Sequence, residues 1–197
     1  MSGEIRLALR PALVVLAALT LLTGIAYPLA VTGAAQVLMP GRASGSLIEQ
    51  DGHVIGSALI GQQFAKPGYF HPRPSAAGKD GYDAGASAGS NLSPGSKDLH
   101  DAIESRIADL RAQGLTGPVP PDLVTTSASG LDPDISPEAA FFQIPRVAKA
   151  RGVDPKVLHD LIQRQIKGPL LGFVGESRVN VLELNRQVDR IGLSPPQ

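Results

Sequence analysis

Residues 11–39 constrain this chain more than any other feature. No charged residue occurs between Pro11 and Gly41, and the run LVVLAALTLLTGIAYPLAV within it is almost wholly apolar. A helix needs about 20 such residues to cross the hydrocarbon core of a bilayer. This run has length to spare, which allows tilt or projection beyond the lipid. Arg6 and Arg10 precede it and only Arg42 follows closely, so the positive-inside bias places residues 1–10 in the cytoplasm and 40–197 outside it. Thr32-Gly33-Ala34 would suit a signal peptidase, but a signal's apolar core is about 7–15 residues long. A retained membrane anchor is therefore expected. Thr20 and Gly24, then Ala26, Ala30 and Ala34, are small residues four apart. That spacing lets membrane helices approach closely, although small residues are also common in such helices generally. Pro28 lacks a backbone donor and should kink the span.

Composition narrows what the outer part can do. Eighteen Lys and Arg balance eighteen Asp and Glu. Nucleic-acid binding, which requires a basic stripe to neutralise phosphates, is not expected. With no cysteine, disulfides and thiolate metal sites are excluded. Gly and Pro are abundant (22 and 17) and aromatics are 4%. A domain of this size buries only about 70% of its unfolded surface, so with few aromatics it is expected to be marginal alone and to lean on a partner.

Local signals predict an α+β domain with a small sheet and several helices. Leu47-Ile48 and Val54-Ile55 flank Asp51-Gly52, a type I′ hairpin signature. Residues 66–95 form a polar segment too long for an ordinary loop, so it is functional or poorly ordered. Leu99, Ile103, Ile107 and Leu110 make one helical stripe between Ser96 and Gln113. Ser136-Pro137-Glu138 is a helix start, running towards Gly152 with a bend at Pro145. Asp154-Pro155 starts another helix, with Val157, Leu158, Leu161, Ile162 and Ile166 inward. Asn180 and Glu183 have capping-box spacing before Leu184, Val188 and Ile191. No internal repeat is evident.

Catalytic motifs are sparse. Gly85-Ala86-Ser87-Ala88-Gly89 fits G-x-S-x-G, and a membrane-anchored serine hydrolase using Ser87 is the alternative reading from another class. An elbow needs a buried strand before it, and GKDGYDA is no such strand. A free-standing substrate-binding module is a third reading. No Walker phosphate loop occurs, nor the Asp-Lys-Thr-Gly of P-type pumps, so the chain is not itself an ATP-hydrolysing engine. His53, His71, His100 and His159 are scattered without ligand spacing, and no metal site is expected. Asn91-Leu92-Ser93 fits a glycosylation acceptor, a pattern common by chance and here followed by Pro94. Two hydroxyl-rich, Pro-stiffened segments remain, one from Tyr69 to Ser75 and on to Leu92, the other from Asp122 to Pro133. They are either ordinary surface loops or a docking face near a hard cation's path. Tyr69, Phe70 and Arg73 are expected as anchors, with Ser75, Asn91, Thr125, Ser127, Ser129 and Asp132 around them. Asp132 either caps its turn or attracts cations.

The same segments carry a resemblance. Gly56-Ser57-Ala58-Leu59-Ile60-Gly61-Gln62, Tyr69 to Ser75, Ser87 to Leu92, Thr125 to Ser136, Gln143 with Arg146-Val147-Ala148, and Arg178-Val179-Asn180-Val181-Leu182-Glu183-Leu184-Asn185 follow in order. Together with the single span, this resembles the C subunit of the Kdp potassium-transporting P-type ATPase. Asp134, Thr126 and Glu183 depart from the family pattern, where His, Ala and Gln respectively are expected in relatives. The resemblance implies an accessory subunit in a bacterial inner membrane, with no catalytic residue and no cofactor of its own. Potassium and Mg-ATP would be used by the complex. Its implied partners, beside the lipid bilayer, are a channel-like potassium-translocating subunit, a P-type ATPase subunit and a small single-span subunit. It further implies that the subunit assembles the complex and raises the pump's ATP affinity, to which Glu183 is the only nucleotide-related candidate. With the domain outside, any such effect would be indirect.

Overall fold

The computed structural model describes residues 2–169 and 171–191. Met1, which falls in the expected cytoplasmic segment, and Leu170 and residues 192–197, which fall in the expected outer domain, lie outside the described residues. The chain divides into two compact units, Met1–Leu47 and Ile48–Gln197.

The first unit is helical. Helix α1 (Ser2–Leu21) passes into a π turn (Leu22–Ala26) and on into α2 (Tyr27–Leu38), with a single turn, α3 (Pro40–Ala43), after it. Residues Leu7–Leu38, 32 in all, are long and apolar enough to cross a membrane. At ~1.5 Å per residue this is about 48 Å, longer than the ~30 Å hydrocarbon core. The π turn sits where Pro28 would disturb the ladder. Proline lacks an N–H and its ring crowds the carbonyl four residues back. Here the Tyr27 N–H bonds to Leu22 O, five residues back, and the ladder widens instead of breaking.

A hairpin follows, of β1 (Leu47–Gln50), whose first residue ends the first unit, and β2 (His53–Ser57). Asp51 (φ 52°) and Gly52 (φ 78°) supply the two left-handed residues of its type I′ turn. A second ladder pairs β3 (Asp134–Ile135) antiparallel with β4 (Val179–Asn180), Asp134 opposite Asn180. Helices α4 (Lys97–Ala112), α5 (Pro137–Phe142), α6 (Ile144–Arg151), α7 (Pro155–Gln165) and α8 (Val181–Ile191) complete the second unit, with a 3-10 turn at Pro121–Leu123. Caps form at the expected starts Ser136, Asp154 and Asn180, and also at Ser96. Ser96, Ser136, Asp154 and Asn180 side chains accept from the N–H groups of Leu99, Ala139, Lys156 and Glu183. Only half of the capping box exists, because the Glu183 carboxylate turns to Arg186 and Gln187.

The single bent helix expected from Ser136 to Gly152 is two helices, α5 and α6, parted at Gln143, just before Pro145. The apolar faces of α5 to α8 meet the β3–β4 ladder. Ile135, Val147, Leu158, Ile162, Val179, Leu184 and Val188 are the centre of this core. Val157, expected inward, is 41% exposed. The α4 stripe is only half-buried, with Leu110 packed against the core. The long polar segment is an irregular but internally bonded stretch. It meets the 124–133 loop at Gly130, whose φ is 66° and where an added Cβ would lie 2.6 Å from Ala88 O and 2.8 Å from Ala77 N. Gly130→Ala is expected to lower stability by about 2 kcal/mol, through positive-φ strain and that backbone clash. A denaturant titration of the full chain in detergent measures it, and an unchanged midpoint would refute the close approach.

Candidate functional site

Side chains, not a strand, fix residues 67–71 in place. Asn185 on α8 accepts the Phe70 N–H at 2.8 Å and donates to Phe70 O at 2.9 Å. Gln143, in the joint between α5 and α6, accepts the His71 N–H at 2.8 Å and donates to His71 O at 3.0 Å. Each amide satisfies both backbone groups of one residue, as a neighbouring strand would. Arg146 donates to Pro67 O (2.7 Å), Tyr69 O (2.9 Å) and Gln143 Oε1 (2.6 Å). Arg151 donates to Gly68 O (2.8 Å), lies 4.6 Å from the Tyr69 ring centroid and pairs with Asp189 at 2.7 Å. Tyr69 donates to Asp189 at 3.2 Å. Burial pushes the Arg146 pKa down to about 10, which still leaves it charged at neutral pH. Beside it, burial and the Arg146 charge lower the His71 pKa to about 4, so the imidazole is neutral.

From this strap the chain runs into a polar platform. Arg73 lies 3.7 Å from Asp122 and 3.6 Å from Asp132, and reaches Thr125 Oγ1 and Thr126 O at 3.4 and 3.3 Å. Ser75 donates to Gly130 O (2.6 Å) and accepts from the Ala77 and Tyr82 N–H groups. The Tyr82 hydroxyl donates to Arg73 O, and burial, then Asp132, raise its pKa. Ser129 O accepts from the Ala88 N–H (3.0 Å) and the Ser87 hydroxyl (2.9 Å). Gly61 N–H reaches Leu131 O at 2.8 Å. Asp122 caps the Ser136 N–H, and Asp132 accepts the Asp134 N–H at 3.1 Å. Asp134 in turn meets Arg178 at 3.0 Å and Asn180 at 3.1 Å, while burial raises its pKa. Two long segments thus become one braced surface.

The structure sorts the expected site residues by exposure. Asn91 and Ser129 are exposed; Tyr69, Arg73, Ser75, Thr125 and Asp132 are half-buried; Ser127 is buried. Phe70 is a correction. Its ring is 0% exposed and belongs to the core, so it offers a partner no surface. With its backbone pinned by Asn185, the side chain has to point inward. Arg73 is already engaged within the domain. Asp132 makes the capping contact and an ion pair as well. Both Glu183 oxygens are engaged on its own helix, by Arg186 at 2.9 Å and Gln187 at 3.1 Å. Ser87 bonds a backbone carbonyl, and residues 85–89 have no strand before them and no helix until α4. The elbow that a hydrolase requires is missing. No cluster of His, Cys, Asp and Glu able to hold a metal occurs among the described residues. The sequence motifs do not mark Gln143, Arg146 and Asn185 as a working set. A signal existed in α8: Val181, Leu184, Asn185 and Val188 are spaced as one inward stripe, with a polar residue inside it.

Comparison with known proteins gives one consistent result. The model of the family described as KdpC, the K+-transporting ATPase c chain, matches residues 9–190. A potassium-transporting ATPase KdpC subunit of Caulobacter vibrioides is 59% identical, over 92% of this chain and 92% of its own. The one from Rhodopseudomonas palustris strain BisB18 is 56% identical over 92% and 96%. That of Methylorubrum populi is 54% identical over 93% and 96%.

Asn185→Leu strips both partners from Phe70 and should cost about 2–4 kcal/mol, with the denaturant slope unchanged. A loss below about 0.5 kcal/mol would mean that water replaces the amide. His71 gives a pH dependence. Its pKa is about 4 folded against 6.5 for the free side chain. As pH falls through that window the unfolded chain takes up the proton first, so stability drops between pH 6.5 and 4. Thermal melts should show this fall, and His71→Gln should flatten it relative to the parent.

Proposed function

The chain belongs to the KdpC family, and on that premise we propose that it is an accessory, non-catalytic subunit of an ATP-driven potassium importer, anchored in the bacterial inner membrane by residues 11–39. What carries this reading is the reach of the family match, residues 9–190, through both the apolar helix and the α+β unit. Residues 1–10 lie in the cytoplasm and 40–197 outside it, in keeping with Arg6 and Arg10. The partners are a channel-like potassium-translocating subunit, a P-type ATPase subunit and a small single-span subunit.

The braced platform is the docking face on the translocating subunit, in revised form. Its working surface is Asn91, Thr125, Ser129 and Asp132, with Arg73 and Ser75 as internal braces and Phe70 as its footing in the core. Ordering long loops on a partner costs free energy. Loops already tied by side-chain bonds have met most of that cost during folding. An influence on the pump's ATP affinity belongs to the same contacts. With the domain outside, it acts through preference for one state of the complex, not through nucleotide contact.

Purification of the tagged full chain from native membranes tests this. The expected outcome is co-purification of the three subunits with potassium-stimulated ATPase activity; the chain recovered alone from intact membranes would refute it. Ala128→Arg, an exposed change on the platform, should weaken assembly by about 2 kcal/mol without altering the chain's own melt. Full recovery of the complex would move the docking face elsewhere.

A further inference from the structure

Arg146 is a buried cation with no counter-charge among the described residues. It is 7% exposed. Its hydrogen-bond partners are the carbonyls of Pro67 and Tyr69, the Gln143 amide oxygen and the His71 ring, none of them an anion. Burial is the one cause acting on its pKa, with no carboxylate opposing it. Its Nε–H is buried and has no partner among the described residues. Buried charges are ordinarily paired, because an unpaired one is costly to desolvate. Arg146 also lines a cavity of about 330 Å³, together with Pro67, Gln113, Lys149 and Ala150. No acid is among these residues. Lys149 lies three residues on along α6, on the same face as Arg146. It is exposed and held by no described hydrogen bond or ion pair. Gln113, at the C-cap of α4, adds an exposed side-chain amide. The C-terminal ends of α4 and α6 border the cavity and carry about half a negative charge each. Two full cations outweigh them and leave about one positive charge in excess.

We propose that this cavity is a binding site for a phosphate group, carried either by the free ion or by a lipid headgroup. A tetrahedral oxyanion supplies the missing counter-charge and several acceptors at once. The Lys149 ammonium and the Gln113 amide are the donors free to meet it. Arg146, already bonded to the strap, acts on it through its charge. Neutralising that charge lowers the cost of keeping Arg146 buried, so binding stabilises the strap from the side opposite its carbonyl ligands. A carboxylate is the weaker match, with two oxygens and trigonal geometry against donors on two helices. The volume lies within the range of small-ligand sites. The site shares Arg146 with the strap but needs nothing from the subunit reading.

The test uses the full chain in phosphatidylcholine nanodiscs. Inorganic phosphate, titrated against chloride at matched ionic strength, should raise the melting temperature by roughly 3–5 °C for each tenfold above its dissociation constant. Phosphate also stabilises folded proteins generally, by exclusion from their surface. The site is therefore read as the difference between the parent and Lys149→Gln. That variant should melt with the parent in chloride, because Lys149 is exposed, and should lose most of the phosphate response. Replacing part of the lipid by phosphatidylglycerol, with no phosphate added, separates the sources. A rise in the parent that Lys149→Gln lacks makes the headgroup the ligand, and a response to either source supports the site. Equal phosphate shifts in parent and variant, with no response to phosphatidylglycerol, overturn it. A response to acetate alone would make the cavity a carboxylate site and overturn the phosphate reading. A Lys149→Gln chain that no longer folds also overturns the proposal, since Lys149 would then belong to the fold.

Discussion

The hold of Asn185 and Gln143 on the backbone of Phe70 and His71 is the constraint from which the rest of the second unit follows. A buried segment must satisfy every N–H and C=O, and it usually does so in a ladder. Here the partners are two side-chain amides on helical elements and the guanidinium of Arg146. The arrangement sets Phe70 in the core and turns the chain outward at Arg73. A half-satisfied network of this kind would be worse than an apolar contact. The double use of each amide, donor and acceptor on one residue, is what makes it tolerable. Arg146 is the costly member, a buried cation 7% exposed whose ligands here are carbonyl oxygens and the neutral His71 ring.

The platform depends on this footing more than on its ion pairs. The pairs of Arg73 with Asp122 and Asp132 are long and partly solvated, and exposed pairs contribute about 0–1 kcal/mol. Their value is positional: one guanidinium ties four residues of the second loop to the first. Ser75, with three hydrogen bonds through one hydroxyl, does the same further along. A surface with little regular structure is thereby given one shape, which is what a docking face requires.

The same economy holds in the apolar helix. Pro28 is accommodated by an i→i−5 hydrogen bond, from the Tyr27 N–H to Leu22 O, and the helix continues past the proline. The helical rod keeps the length to cross a bilayer with residues in excess.

What the sequence by itself determined is local or periodic. The long apolar helix was legible from an uncharged apolar run, the hairpin from Asp51-Gly52, and the helix starts from Ser136, Asp154 and Asn180, because each signal lies within a few residues of its effect. The family, too, was legible in the order of motifs along the chain. The tertiary structure alone decided the roles of Phe70 and Arg73. In sequence, Phe70 is an aromatic in a polar stretch, which reads as an exposed anchor. Its burial depends on Asn185, 115 positions away, and Arg73 is occupied by residues on a loop about fifty positions on. The fate of an irregular segment is settled by whichever distant side chains satisfy its backbone, and no local pattern encodes that pairing.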